Sequence, residues 1–205
     1  MIYDITPPVF AGMAAWPGDT PIRREILSDV HHGDATTTSA LHASVHLGAH
    51  VDAPSHLSAQ AAAIDQAPLD LFLGPCQVVH IDAAPRTSLL PKDLSGPVLV
   101  PRVLLATGTF PDWREFREDF AALHPDLVDF LHQKGVRLVG IDTPSVDLFA
   151  ATDLPVHHAC MRWSMAILEG LDLHKVPDGI YELIALPLKL AGFDGSPVRA
   201  VLRPM

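Results

Sequence analysis

Residues 41–56 read LHASVHLGAHVDAPSH, and this stretch carries the strongest structural signal in the chain. Every odd position from Leu41 to Ala53 is apolar, whereas the even positions hold histidines, small residues and Asp52. A period of two predicts an extended strand that buries one face. The opposite face of that strand would then present several imidazoles and one carboxylate.

The polar face of this predicted strand has the composition of a metal site. Neutral imidazole and carboxylate are ligands of Zn²⁺ and similar ions, and His46, His50 and Asp52 stand close together in the sequence. Four residues of straight strand span roughly 13 Å, so one shared ion requires the chain to bend. Gly48 permits a bend, and Pro54 ends the strand. A solvated strand face, or a helix with surface histidines at i and i+4, are the alternatives.

A second group of candidate ligands lies far along the chain. His157 and His158 are adjacent, Cys160 follows, and Glu169 falls within an apolar pattern that we interpret as a helix over 161–171. Adjacent histidines point in different directions on a regular element, so at most one should bind the same ion as the first group. A histidine pair and one glutamate are ordinary features by themselves. Joined to the first group, they would supply the further ligands of a binuclear centre.

The rest of the chain predicts one domain, residues 1–205, with a mixed α/β fold. A helix is predicted over 125–134, with Pro125 in its first turn and Gly135 after its end. The segment 191–196 suits a hairpin connection between the last two strands. Because strands and helices interleave without strict regularity, we expect a largely antiparallel mixed sheet with flanking helices. The predicted strands lie at 77–81, 98–106, 137–142, 181–190 and 198–202.

Composition disfavours several classes of function. The 205 residues include 14 Lys+Arg against 24 Asp+Glu, so the net charge of −10 is unsuited to nucleic acid or anionic membranes. No apolar stretch reaches the roughly 18 residues of a membrane span. The first residues lack the charged start of a secretory signal, and two cysteines do not indicate a disulfide framework. We therefore expect a cytoplasmic protein with no nucleic-acid or membrane partner. Signature motifs of serine hydrolases and nucleotide-binding proteins are absent.

The segment from His46 to His56 reads H-x-G-x-H-x-D-x-P-x-H and resembles the signature of the cyclase-like metal hydrolase family. Within that family the chain is most similar to the bacterial kynurenine formamidases, or arylformamidases. The further segments that carry this resemblance are WPGDTP at 16–21, GIDTPSVD at 140–147, ILEGL at 167–171, YELIALPL at 181–188 and SPVRAVL at 196–202.

The resemblance implies a fold of the swivelling β/β/α type, a homodimer and two Zn²⁺ ions per subunit. It also implies a small-molecule substrate, N-formyl-L-kynurenine, which is hydrolysed to L-kynurenine and formate in tryptophan catabolism. His46 and His50 would bind the first zinc, and His157 the second. The carboxylates of Asp52 and Glu169 would bridge both ions.

Two more roles follow from the same resemblance. His56 would be the proton donor and acceptor, and Trp16 would contact the substrate. Judged from the residues alone, Trp16 could equally pack the N-terminal loop.

Two other functions remain open from the sequence. The first is a related hydrolase that acts on another amide or a lactam, such as an isatin hydrolase, with Mn²⁺ in place of zinc. The second is a regulatory or storage protein that binds metal without turnover. A storage site would complete its coordination shell with protein ligands, whereas a catalytic site keeps an open position.

Overall fold

A nine-stranded mixed sheet organises the molecule in the computed structural model, which describes residues 1–205. The strands of the molecule are β1 (Tyr3–Asp4), β2 (Arg23–Ser28), β3 (Thr38–His42), β4 (His50–Asp52), β5 (Leu73–His80), β6 (Ser88–Leu89), β7 (Arg102–Ala106), β8 (Ala122–Leu123), β9 (Leu138–Ile141), β10 (Ala166–Glu169), β11 (Gly179–Ile184), β12 (Gly195–Pro197) and β13 (Val201–Pro204). The order in the large sheet is β1-β13-β11-β5-β7-β9-β10-β4-β12, and β2–β3 and β6–β8 form separate two-stranded sheets. The helices are α1 (Pro125–Gln133) and α2 (Pro155–Arg162).

The large sheet is curled into a half barrel. Strand β12 forms one edge, whereas β13 lies next to the opposite edge. Only a short link joins Pro197 to Val201, and four residues reach at most about 14 Å. The two sides of the sheet must therefore approach each other, because β12 and β13 could not otherwise both pair.

The sheet is mixed, as the sequence predicts. Five of its eight neighbouring strand pairs are antiparallel, and the parallel pairs join β5, β7, β9 and β10 at its centre. Both faces of these central strands are covered, which parallel strands require. Val103 and Leu105 pack in the cluster that contains the helices, whereas Leu104 packs in the other cluster. The swivelling β/β/α designation stays a prediction from the resemblance.

The helix predicted at 125–134 is confirmed as α1. Pro125 occupies its first position, and Gly135 follows with a positive φ of 82°. Its buried residues Leu127, Val128 and Leu131 form the stripe that packs on the sheet. Neither α1 nor α2 is long enough to cross a membrane.

The single strand predicted from Leu41 to Ala53 is wrong. Strand β3 ends at His42 and β4 begins only at His50, because the chain turns between them at Gly48, whose φ is 65°. The predicted bend at Gly48 is thus confirmed, but it interrupts the strand. The predicted alternation of buried and exposed residues is not observed: residues 47–51 are all buried, whereas Leu41 is 70% exposed.

The helix predicted at 161–171 is also wrong. Helix α2 begins earlier and ends at Arg162, where Ser164 adopts a left-handed φ of 51° and Met165 N donates to Cys160 O. Residues 166–169 then form β10, which pairs in parallel with β9. A short apolar run fits a buried strand as well as a helix, and here the neighbouring strand decides between them.

The predicted hairpin connection at 191–196 is wrong as well. Strands β11 and β13 do pair antiparallel, but the link between them runs over 185–200 and contains β12. Strand β12 pairs with β4, and Gly195 lies opposite Asp52. The link thereby carries residue 194 to the histidine-rich segment.

Candidate metal centre

The five predicted metal ligands converge in the structure. His50 and Glu169 are register partners across β4 and β10. His157 reaches them from α2, and the turn before β4 carries His46. Segments distant in sequence thus form one cluster, whose members all have side chains no more than 16% exposed: His46, His50, Asp52, His157 and Glu169.

In each of the two carboxylates, one oxygen lies near His50 and the other lies near His157. Glu169 Oε2 lies 3.1 Å from His50 Nε2, and Glu169 Oε1 lies 3.6 Å from His157 Nε2. Asp52 Oδ1 lies 3.6 Å from His50 Nε2, and Asp52 Oδ2 lies 3.3 Å from His157 Nε2. Each carboxylate therefore faces both histidines, which is the arrangement that two bridging carboxylates need.

Two glycines let the backbone come close enough to build this cluster. His50 Nδ1 is 2.8 Å from the carbonyl oxygen of Gly48, which directs Nε2 toward the carboxylates. A Cβ on Gly170 would lie 2.0 Å from that same oxygen, and Gly170 has a φ of 69°. Only glycine fits there without a backbone shift. Glu169 is fixed in turn because its Oε1 accepts a hydrogen bond from Val146 N at 2.6 Å.

Asp147 orients His157, a role that the sequence alone does not reveal. Its Oδ2 lies 2.7 Å from His157 Nδ1, and its two oxygens accept hydrogen bonds from the backbone N–H groups of Val156 and His157. The same carboxylate thus holds the first turn of α2 and turns His157 Nε2 inward. The available sequence signal was an acidic segment, 142–147, directly after a buried strand, where active-site loops often lie. By contrast, His158 is exposed, as expected for the second of two adjacent histidines.

Asp194 is the other residue that sequence reasoning missed. Its Oδ2 lies 3.0 Å from His46 Nε2, while His46 Nδ1 lies 2.9 Å from Asp52 Oδ1. No local motif signals Asp194, because it is 148 residues from His46 and arrives on the link that contains β12.

His56 lies beside the cluster and is more exposed than its members. Its side chain is 31% exposed, and its ring centroid is 4.2 Å from that of His46. The nearest carboxylate oxygen is Asp194 Oδ2, at 3.7 Å from His56 Nδ1. Together with Asp52 and His157, His56 lines a largely apolar cavity of about 650 Å³. His56 is therefore placed where the cluster meets open space.

Trp16 lies on another side of the cluster. It packs against Phe116 and Phe149, with ring centroids 5.5 and 5.2 Å away. It also lines a small cavity with His46 and His50, and this cavity shares no lining residue with the larger one. Trp16 thus packs in an aromatic cluster and is also near the histidines.

The chemistry of the cluster fits a bound divalent metal ion. Asp52 Oδ2 is buried and has no hydrogen-bond partner, because the nearby His157 Nε2 does not meet it with hydrogen-bond geometry. A buried carboxylate oxygen without a partner is costly, and a bound cation would remove that cost. Imidazole nitrogens and carboxylate oxygens are ligands that Zn²⁺ prefers.

Protonated histidines balance the carboxylates when no metal is bound. Burial disfavours the charged form of His46, yet its bonds with Asp52 and Asp194 raise its pKa to about 9. Burial opposes the charge of His157 as well, but its hydrogen bond with Asp147 and the nearby negative charge of Asp52 raise its pKa to about 10. Burial works to raise the pKa of Asp52, but contacts with His157 and His46 bring it well below its usual value.

These pKa values predict that the metal-free protein loses stability in alkaline solution. A histidine whose pKa is raised by folding stabilises the folded protein. This contribution is complete below the pKa of histidine in the unfolded chain, about 6.5, and is lost as the pH rises toward the pKa in the folded protein. The loss should therefore begin near pH 6.5 and be complete by about pH 9 for His46 and about pH 10 for His157. Urea unfolding midpoints with a chelator at pH 7.5 and pH 10 measure it.

The variant H157Q should show a smaller alkaline loss, whereas H158Q, at the exposed neighbouring position, should behave like the unmodified chain. Equal losses in all three proteins would contradict the prediction. Metal binding requires neutral imidazoles, so the metal-loaded protein should instead lose its metal as the pH falls.

Comparisons with known proteins find a family model that matches this chain and several solved structures that are similar to it. The model of the Cyclase family, described as "Putative cyclase", matches residues 3–148, more than half of the chain. A solved structure described as a potential metal-dependent hydrolase with cyclase activity is 28% identical, with a TM-score of 0.84, over 98% of this chain and 96% of that chain. A predicted metal-dependent hydrolase from Bacillus stearothermophilus is also 28% identical, with a TM-score of 0.83, over 98% and 97%.

The similarity to a third solved structure supports the fold only. It is an isatin hydrolase bound to the product analogue thioisatinate, and it is 22% identical to this chain. The TM-score is 0.85, and the match covers 100% of this chain and 92% of that chain.

Proposed function

Because the chain belongs to the Cyclase family, we propose that it is a metal-dependent hydrolase that converts N-formyl-L-kynurenine to L-kynurenine and formate. The observation that carries the metal-dependent part is the pair of carboxylates, each of which presents its two oxygens to His50 and His157. The resemblance of residues 46–56 to the arylformamidases supports the choice of substrate. The homodimer and the cytoplasmic location remain part of the proposal.

Two Zn²⁺ ions are proposed for the cluster, with Asp52 and Glu169 as bridging ligands. When bound, such ions polarise a carbonyl oxygen and lower the pKa of water. His46 and His50 would hold one ion, and His157 the other. Mn²⁺ would fit the same imidazole and carboxylate ligands.

The protein must also deliver a proton, because the nitrogen that leaves an aryl formamide departs poorly as an anion. His56 is proposed for this step. Its ring lines the larger cavity beside Asp52, and about two thirds of its side-chain surface is buried. An imidazole in that position can accept a proton from the attacking water and return it to the departing arylamine nitrogen.

The surroundings of the cluster suit an aromatic substrate. The cavity of about 650 Å³ is lined mostly by apolar residues, including Leu57, Met161 and Trp163, and cavities of this size hold small molecules. Trp16 is proposed to contact the substrate from the other cavity, next to His46 and His50. The open cavity also favours turnover over metal storage.

Hydrolysis of a lactam such as isatin is the second candidate. It is favoured by the shared fold with an isatin hydrolase over the whole chain. Both reactions cleave an amide whose nitrogen is attached to an aromatic ring, so the same cluster could perform either one.

Metal analysis combined with turnover measurements on the purified protein tests the proposal. We expect formate release from N-formyl-L-kynurenine that stops after chelation and returns with Zn²⁺ or Mn²⁺. Isatin, assayed in parallel at equal concentration, should be turned over more slowly. Faster turnover of isatin would replace the proposed substrate, and no turnover of either compound by fully metal-loaded protein would overturn the proposed reaction class.

A further inference from the structure

Each histidine of the predicted ligand set directs one ring nitrogen toward the carboxylates of the cluster. Its other ring nitrogen contacts a hydrogen-bonding group outside the cluster. For His50 the outer partner of Nδ1 is the Gly48 carbonyl oxygen, and for His157 it is Asp147. His46 has the opposite orientation. Its Nδ1 faces Asp52, and its Nε2 faces Asp194.

The position of Asp194 is well defined, although its side chain is half exposed. The backbone carbonyl of Asp194 accepts a hydrogen bond from Ala53 N at 2.9 Å, directly after β4. The following Gly195 is so close to His46 that a Cβ there would lie 2.8 Å from the imidazole Cε1. The link that carries Asp194 is thus packed directly against the edge of the His46 ring.

We propose that Asp194 is a positioning residue that holds His46 with Nδ1 directed at the metal centre. His46 would then bind metal through Nδ1, whereas His50 and His157 would bind through Nε2. A carboxylate on the outer nitrogen selects the tautomer, fixes the ring plane and makes the inner nitrogen a stronger ligand. The inference rests on the metal binding of the proposed function, and it does not depend on the substrate.

Metal affinity without substrate provides the first test. In D194N the carboxylate is replaced by an amide of the same shape, and we expect zinc to bind roughly 10- to 100-fold more weakly, as measured by competition with a chromophoric chelator. D178N is the matched control. Asp178 also contacts a histidine, His80, at 2.6 Å, and its side chain is 53% exposed against 50% for Asp194. The control should keep the original affinity.

A spectroscopic test identifies the coordinating nitrogen. Long-range ¹⁵N correlation spectra of the zinc-loaded protein, assigned with H46Q, should show His46 bound through Nδ1 with a proton on Nε2. D194N should alter the His46 signals and leave those of His157 unchanged, and D194E should retain more zinc affinity than D194N. Coordination of His46 through Nε2, or equal affinity in D194N and D178N, would overturn the inference.

The test of Asp194 can fail or succeed independently of the test of the proposed hydrolase function. Zinc binding and the spectra are measured without substrate, so missing formate release would count against the hydrolase proposal alone. Circular dichroism of each variant shows that a change in affinity does not come from unfolding.

Discussion

The variant D52N is expected to lose most of its bound metal and to turn over substrate roughly a thousandfold more slowly. Asp52 Oδ1 faces His46 and Oδ2 faces His157. An asparagine keeps only one oxygen, and its NH₂ group cannot act as a ligand on the other side. Metal ions contribute several kcal/mol to such reactions, and about 4 kcal/mol corresponds to roughly three powers of ten in rate.

Metal content by elemental analysis and formate release should fall together in D52N. D82N is a suitable control, since Asp82 is exposed and outside the cluster, and it should retain both. If D52N kept two metal equivalents and full turnover, Asp52 would not be a bridging ligand, and the proposed centre would have to be abandoned.

The variant H56A is expected to slow turnover about 10²- to 10⁴-fold while it keeps its full complement of metal. The expected loss is that of a general acid–base catalyst, because His56 lines the larger cavity and lies outside the carboxylate cluster. Its Nδ1 is 3.7 Å from the nearest carboxylate oxygen, that of Asp194.

This variant also distinguishes two assignments of His56. The ligand atoms of His46, Asp52 and His56 lie close enough together to hold an ion. Loss of one metal equivalent in H56A would therefore make His56 a ligand. H174A, at an exposed histidine elsewhere on the surface, should show neither effect.

Much of the cluster could be predicted from residue types and spacing. Two imidazoles and one carboxylate lie between His46 and Asp52, on either side of Gly48, and these residue types indicate a metal site even before the fold is known. The convergence of Glu169 and His157 on these residues was expected from the resemblance, and the structure places them there. The element that carries Glu169 was predicted incorrectly, because a short apolar run does not distinguish helix from strand.

The outer partners of the histidines could not be predicted. Asp147 lies ten residues from His157, and Asp194 lies 148 residues from His46. Their roles depend on where α2 begins and on the pairing of β12 with β4. Both features result from packing between distant segments.

The amino-acid sequence alone therefore determined the mixed α/β character, helix α1, the bend at Gly48 and the chemical nature of the cluster. These properties depend on side-chain chemistry and local periodicity, which act over a few residues. The tertiary structure alone decided the curl of the sheet, the strand that carries Glu169, and the nitrogen that each histidine directs inward. These depend on which distant strands pair and how closely their backbones approach, and local periodicity does not encode such contacts.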